Sequence, residues 1–298
     1  MFGFIVTTHY NNYKLISKCL DLLFINIPPN STILLYVNET TDDKVLNIKS
    51  EYVNDSSNKI YVDFEDENGL NIQTLNHTFE VFYIQDQLKN NGLTGTWNMG
   101  IKHLINNYPD IKVITILGHD TFLNSTINFL YKKAMDAYKN KILEYYGPLY
   151  LYWKGKTDEL WQDQFHFKNY EQKYLIGSLL CFPINSLIKN ILPSGDFFDN
   201  QYPFGYNDID WYNRFKKIGG KPVIIPECII DHKYCRTWIN VDPRLKNYRD
   251  NKQNNIENTC ISNLSVEKLL NKYNTIQENN FNWIMYSQKW QHLKFKNE

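Results

Sequence analysis

Three observations in the sequence predict an α/β domain. Strand-like and helix-like patterns alternate through the first half of the chain. The run Ile111–Leu117 is continuously apolar and β-branched, as in a strand buried on both faces. At 298 residues, 43% of them hydrophobic, the chain can bury one large core or one domain with an appendage.

The elements follow in order. Phe2–Thr8 is a short strand that stops at the polar His9-Tyr10-Asn11-Asn12. Leu15, Ile16, Cys19, Leu20 and Leu23 fall at helical spacing, and Pro28-Pro29 ends that helix. Thr32–Val37 is a second strand, closed by the polar turn Asn38 to Asp43. Residues 50–78 are polar, with one strand near Lys59–Phe64, and Glu80–Ile84 forms another. The turn Asn91-Gly92-Leu93-Thr94-Gly95 opens a helix over about Thr96–Asn106. After the buried strand comes Gly118-His119-Asp120, then a helix with Ile127, Leu130, Ala134 and Ala137 on one face.

The second half has a different texture. Leu149–Trp153 and Tyr174–Phe182 read as strands around an aromatic loop, Trp161–Tyr170. Phe197–Phe204 is a second aromatic loop, and Asp208–Lys217 is a helix with Gly219-Gly220 at its C-cap. Pro222–Pro226 is a strand leading to Ile229-Ile230-Asp231-His232. We place a catalytic domain at 1–240 and a linker with a helical, aromatic extension at 241–298.

Composition excludes several classes. With 32 basic and 32 acidic residues the net charge is zero, which argues against nucleic acid or an anionic membrane as partner. No stretch approaches the roughly 18 to 20 apolar residues of a transmembrane helix. The N-terminus reads as a strand rather than a signal peptide. Five scattered cysteines fit reduced thiols in a cytoplasmic setting. The aromatic share, 15%, suits a sugar-handling site but also follows from an Asn-, Ile-, Lys- and Tyr-rich composition.

The strongest motif is the stretch Phe197 to His232. It holds Phe198-Asp199, then Asn207-Asp208-Ile209-Asp210, then Arg214 to Gly219, then a strand ending at His232. In order and spacing it resembles the family 2 glycosyltransferases, especially their rhamnosyl- and galactofuranosyl-transferase-like branch. The first strand with its turn, the "LLYVNETTDD" turn, the "NGLTGTWNMGI" segment and "ITILGHDTFL" resemble the family's other segments. The resemblance covers about residues 3 to 235.

That resemblance implies a GT-A-like fold: a mixed, mainly parallel sheet flanked by helices. It implies a nucleotide-sugar donor (UDP-, dTDP- or GDP-sugar) and inversion at the anomeric carbon in one in-line displacement. The acceptor is a hydroxyl of a carbohydrate or glycoconjugate. "GHD" stands where the family places its metal-binding D-x-D, with Gly118 replacing the first Asp.

The same chemistry follows from the residues. A departing diphosphate gains negative charge, and the chain has no phosphate-binding Gly-x-x-x-x-Gly-Lys loop, so a divalent ion is the natural counter-charge. Asp120 and His232 each lie just past a strand, where open α/β sheets bind ligands. Carboxylate plus imidazole suits Mn2+ and is tolerable for Mg2+. The alternative for Asp120 is an N-cap of the next helix.

An acceptor hydroxyl must also lose its proton, and Asp208 corresponds to the family's base. Asp210 reads as structural. Thr7, Asn38 and Asp43 are candidates for the nucleotide pocket, and Gly95 and Asn98 for shaping the donor site. Trp97 reads as core. Trp153, Trp161, Phe204 and Trp211 are candidates for stacking on an acceptor sugar. The Gly177-Ser178 turn falls where the family forms its acceptor pocket.

Two rivals remain at this level. A catalytically inactive GT-A-like scaffold is favoured by Gly118 and by Asn207 in place of Glu. A nucleotidyltransferase is disfavoured, because "TTHYNNYK" lacks a Gly-rich triphosphate loop. The aromatic tail has three open roles: forming a homodimer, capping the acceptor site, or docking on a membrane-bound glycan enzyme.

Overall fold

The computed structural model describes residues 1–9, 13–38, 40, 42–53, 59–66, 69–85, 91–153, 160–162, 175, 177–203 and 207–232. At 9, 59–66, 69–75, 149–153, 160–162 and 231–232 it describes the backbone alone.

Among these residues the strands are β1 (Phe2–His9), β2 (Thr32–Asn38), β3 (Lys59–Asp66), β4 (Gly69–Ile84) and β5 (Val113–Gly118). Then come β6 (Thr121–Phe122), β7 (Glu144–Trp153), β8 (Leu160–Gln162), β9 (Leu179–Pro183) and β10 (Lys221–His232). The helices are α1 (Tyr13–Asn26), α2 (Asp43–Leu46), α3 (Ile48–Tyr52), α4 (Gly92–Asn107), α5 (Ile127–Lys139), α6 (Ile184–Lys189) and α7 (Asn207–Lys217). No helix among the described residues is long and apolar enough to cross a membrane.

All ten strands join one sheet in the order β3-β4-β2-β1-β5-β9-β7-β10-β6, with β8 on β7. Pairing is parallel for β4/β2, β2/β1, β1/β5 and β7/β10. Strand β9 is antiparallel to both of its neighbours, β5 and β7. The sheet is therefore mixed and mainly parallel, as the sequence predicts.

Alternation along the central strands sends side chains into two cores. Phe4, Val6, Leu35 and Leu117 pack with α1 and α5 through Ile16, Leu20 and Leu130. Ile5, Tyr36 and Ile116 pack on the other face with α4 and α7 through Ile101, Leu104, Trp211 and Phe215. A strand buried on both faces needs apolar residues at every position, which is why β2 and β5 read as continuous runs.

Several boundaries differ from the sequence reading. Strand β4 begins at Gly69 rather than near Glu80, its first half pairing antiparallel with β3. Helix α4 begins at Gly92, since Asn91 adopts a left-handed φ of 56° and turns the chain early. Strand β10 runs on through Pro226, which lies in a register break between Ile225 and Ile229, where no ladder hydrogen bond is demanded of it. Helix α7 ends at Gly219 (φ 83°), the expected cap. The predicted tail helix lies outside the described residues.

One buried histidine makes the fold sensitive to acid. His77 is 2% exposed; its Nδ1 accepts from Ser31 N at 3.3 Å and its Nε2 faces Phe24 O at 3.2 Å. The only tautomer satisfying both is neutral with the proton on Nε2. Burial lowers its pKa from 6.5, partly offset by the Phe24 carbonyl. A lowered histidine pKa contributes stability that is full above about 6.5 and is lost as pH falls through the folded-state value. Thermal unfolding from pH 8 to pH 4.5 should therefore show the parent losing stability relative to His77→Gln as pH falls below about 6.5. Parallel pH profiles for the two proteins would refute this.

Candidate functional site

Strands β1, β2, β4, β5, β7 and β10 point the same way and end at one edge, at His9, Asn38, Ile84, Gly118, Trp153 and His232. Antiparallel β9 starts at that edge, just after Gly177-Ser178. Such carboxyl ends form the crevice where open α/β sheets take ligands. Topology thus gathers Thr7, Asn38, Asp120 and His232, which lie far apart in sequence.

The turn after β5 is tied down from three sides. Gly118 N and Thr121 Oγ1 both donate to Ser178 O, each at 3.1 Å. His119 N donates to Thr7 O at 3.1 Å. Beneath the turn, the Sγ of buried Cys19 donates to Thr121 O at 3.4 Å. Strand β6 then pairs antiparallel with the end of β10, setting Thr121 opposite His232. Asp120 therefore lies one residue before the position whose backbone pairs with His232, which brings the two chain segments together. Among the described residues no group of three or more His, Cys, Asp or Glu converges on a metal position.

The structure removes one alternative and accounts for one departure. Asp120 does not cap α5, which starts seven residues after it, with Thr126 at the N-cap position. Its Oδ1 lies 2.9 Å from where a Cβ on Gly118 would stand. A side chain at 118 would require the Asp120 carboxylate to shift.

Asp208, in the first turn of α7, is held by two amides. Its Oδ2 accepts from Gly177 N at 2.9 Å, and its Oδ1 from Ile209 N at 2.8 Å. Burial pushes its carboxyl up to about 6, while the amide donors pull the other way. Gly177-Ser178 thus touches both clusters, Asp208 through the Gly177 N–H and the Asp120 turn through the Ser178 carbonyl.

The neighbouring Asn207 is buried and donates from Nδ2 to Thr94 Oγ1 at 2.9 Å. Thr94 in turn donates from its hydroxyl to Tyr202 O, and its N–H donates to Pro203 O at 3.1 Å. Sequence reasoning passed over Thr94, since a threonine in a glycine-bearing turn looks like ordinary turn chemistry.

The remaining predicted residues fall as follows. Asn98 accepts from Phe197 N (3.0 Å) and Phe198 N (2.9 Å), and donates to Phe198 O (2.8 Å) and Asn200 Oδ1 (3.1 Å). It clamps the Phe197–Asn200 segment onto α4. Gly95 is buried in the first turn of α4, its N–H on Asn91 O at 3.0 Å. Asn38 donates to Thr8 O at 2.8 Å and accepts from Thr96 Oγ1 at 3.5 Å. Thr7 is buried with its hydroxyl 3.5 Å from Leu117 O. Asp43 is exposed at the start of α2, with Asp42 as the cap.

Trp211 is not an acceptor platform. It is 1% exposed and its ring packs on Tyr145 (4.8 Å), Phe182 (4.8 Å) and Phe215 (4.6 Å). The side chains of Trp153, Trp161 and Phe204 lie outside the described residues. Asp210 is structural as predicted, fully buried on Arg214 Nε at 2.9 Å.

This sheet order, with one antiparallel strand set among parallel ones and the site on the carboxyl edge, defines a GT-A fold. Solved glycosyltransferases share it. The chain is similar to GalNAc-T7, crystallised with UDP, GalNAc and Mn2+ (TM-score 0.54, 12% identity, covering 78% of this chain and 44% of that one). It is similar to a mannosyltransferase from Pyrobaculum calidifontis in complex with GDP-Man and Mn2+ (TM-score 0.53, 11% identity, covering 94% and 69%). It is also similar to residues 1–349 of S. aureus TarS (TM-score 0.51, 11% identity, covering 98% and 92%). The chain spans less than half the length of the GalNAc-T7 chain. No family model matches the chain, and no curated protein matches it in sequence.

Proposed function

We propose that this protein is an inverting glycosyltransferase that moves a sugar from a nucleotide-sugar to a hydroxyl of a carbohydrate or glycoconjugate. The observation carrying this reading is Asp208: a carboxylate on two backbone N–H groups at the ligand edge, with a pKa of about 6. A base poised near neutrality is ionised at pH 7 yet still basic enough to take a hydroxyl proton in the transition state. Family 2 membership of the rhamnosyl- and galactofuranosyl-transferase-like branch belongs to the same proposal, resting on the Phe197–His232 motif.

Asp120 and His232 are the proposed ligands of a divalent ion, Mn2+ or Mg2+. Asp120 immediately precedes the residue whose backbone pairs with His232, and a carboxylate with an imidazole suits such an ion, with donor diphosphate and water filling the remaining positions. When bound, the ion would offset the charge gained by the leaving diphosphate. Thr7, Asn38 and Asp43 line the proposed nucleotide pocket. Gly95 and Asn98 shape it through the segments they hold. The UDP and GDP-mannose seen in the similar structures make uridine and guanosine donors the first to test.

Calorimetry with UDP, dTDP and GDP, with and without Mn2+, tests the reading. We expect one diphosphate to bind in a Mn2+-dependent way, and Asp120→Ala to weaken that binding at least tenfold. If none of the three binds under either condition, the transferase mechanism fails and an inactive GT-A-like scaffold becomes the better account.

A further inference from the structure

We propose that Gly177 is a positioning residue for Asp208, and that Trp97 is what requires a glycine at 177. The proposal rests on reading Asp208 as the base and adds the part of the fold that aims it.

Gly177 is not among the glycines with positive φ, which among the described residues are Gly92, Gly195 and Gly219. A left-handed backbone is therefore not the reason for glycine here. Close approach is. A Cβ at 177 would stand 2.9 Å from Trp97 Cη2, 3.7 Å from Trp97 Cζ2 and 3.4 Å from Asp208 Oδ2. The first distance is shorter than real Cβ contacts show, and the atom it meets belongs to a rigid ring rather than a flexible tip. Trp97 cannot easily retreat: it is 2% exposed and packs edge-to-face on Phe198 with centroids 5.1 Å apart. Phe198 is held in turn by Asn98.

The result is a three-part stack in which the indole of α4 presses the Gly177 peptide toward α7. There the Gly177 N–H meets Asp208 Oδ2 at 2.9 Å. Of the two amides on this carboxylate, that of Ile209 comes from the same helix and moves with it. Gly177 supplies the one from outside, so it fixes the carboxylate relative to the sheet. Through the carbonyl of the next residue, Ser178, the same short turn is also bonded to the turn carrying Asp120, which lets Gly177-Ser178 set the base and the proposed donor site in register.

The test is Gly177→Ala, with Trp97→Phe and the double variant alongside. Phenylalanine lacks the Cη2 and Cζ2 atoms that crowd position 177, so it should relieve the clash. The readout is the titration of the Asp208 carboxyl, followed by 13C NMR on protein labelled at aspartate Cγ and assigned with Asp208→Asn. Alanine keeps the backbone N–H, but its Cβ against Trp97 displaces that N–H from Asp208 Oδ2 and so weakens a donor that favours the ionised form. The midpoint should therefore rise in Gly177→Ala and return to the parent value in the double variant. Release of UDP from UDP-N-acetylgalactosamine, or of GDP from GDP-mannose, should fall at least tenfold in Gly177→Ala and recover in the double variant.

An unmoved midpoint in Gly177→Ala would overturn the positioning role. A rise that persists in the double variant would overturn the part assigned to Trp97. The titration needs no turnover, so these outcomes stay distinct from failure of the transferase reading, which shows as absent diphosphate binding in the parent protein.

Discussion

Replacing Asp208 by Asn should lower sugar transfer by roughly 10²- to 10⁴-fold, the usual contribution of a general base. Asparagine is nearly isosteric, and its carbonyl oxygen can still accept from Ile209 N or Gly177 N. What it lacks is the ability to take a proton. Diphosphate affinity should therefore hold while turnover collapses, which separates loss of chemistry from loss of the donor site.

The pH profile of the parent carries the same signature. Asp208 is the base only when ionised, so kcat/KM should fall as pH drops through about 6. Stability runs the other way. A carboxyl whose pKa is raised on folding contributes stability that is full below its unfolded value and is lost as pH rises through about 6. Asp208→Asn should accordingly be at least as stable as the parent at pH 7 while being nearly inactive. A variant that loses stability and activity together would mark Asp208 as structural.

The second large effect concerns the helix that carries Asp208. Arg214 donates from Nε to Asp210 at 2.9 Å, from Nη1 to Asn190 O at 2.7 Å and from Nη2 to Phe197 O at 2.8 Å. Asp210 is fully buried, so Arg214→Met strips a buried carboxylate of its guanidinium and orphans two carbonyls. Breaking such a pair costs about 3–5 kcal/mol, a fall in Tm on the order of 10 °C for a domain of this size.

By contrast, the Lys102–Asp196 pair has a lysine side chain 44% exposed. Its removal should cost under about 1 kcal/mol. Asp210→Asn combined with Arg214→Met should lose less than Arg214→Met alone, because no unpaired charge is then buried. Equal losses for the single and double variants, read from thermal melts, would remove the ion pair from the explanation.

Local pattern carried much of this protein in the sequence. Ile111–Leu117 announced a central strand because a strand covered on both faces must be apolar at every position. Asp208 and Asp210 stood out as candidates because the motif around them spans one loop and one helix, and Asp120 because it follows a buried strand.

What the sequence could not convey depends on which distant backbones become neighbours. The bond from Gly177 to Asp208 spans 31 residues, that from Phe197 to Asn98 spans 99, and that from Asn207 to Thr94 spans 113. Each is a single polar contact whose partners look like ordinary turn residues until the sheet order is known. The first half of β4, rich in Asn, Gln and Thr, read as loop until its pairing with β3 was known. Trp211 looked as available as any aromatic residue until three rings closed on it. Composition and periodicity determined the layers of this fold, because burial of apolar surface acts residue by residue along the chain. The placement of Asp208, the turn that holds Asp120 and the glycine between them was decided only by tertiary register, because hydrogen-bond geometry and close approach exist only once the strands are assembled.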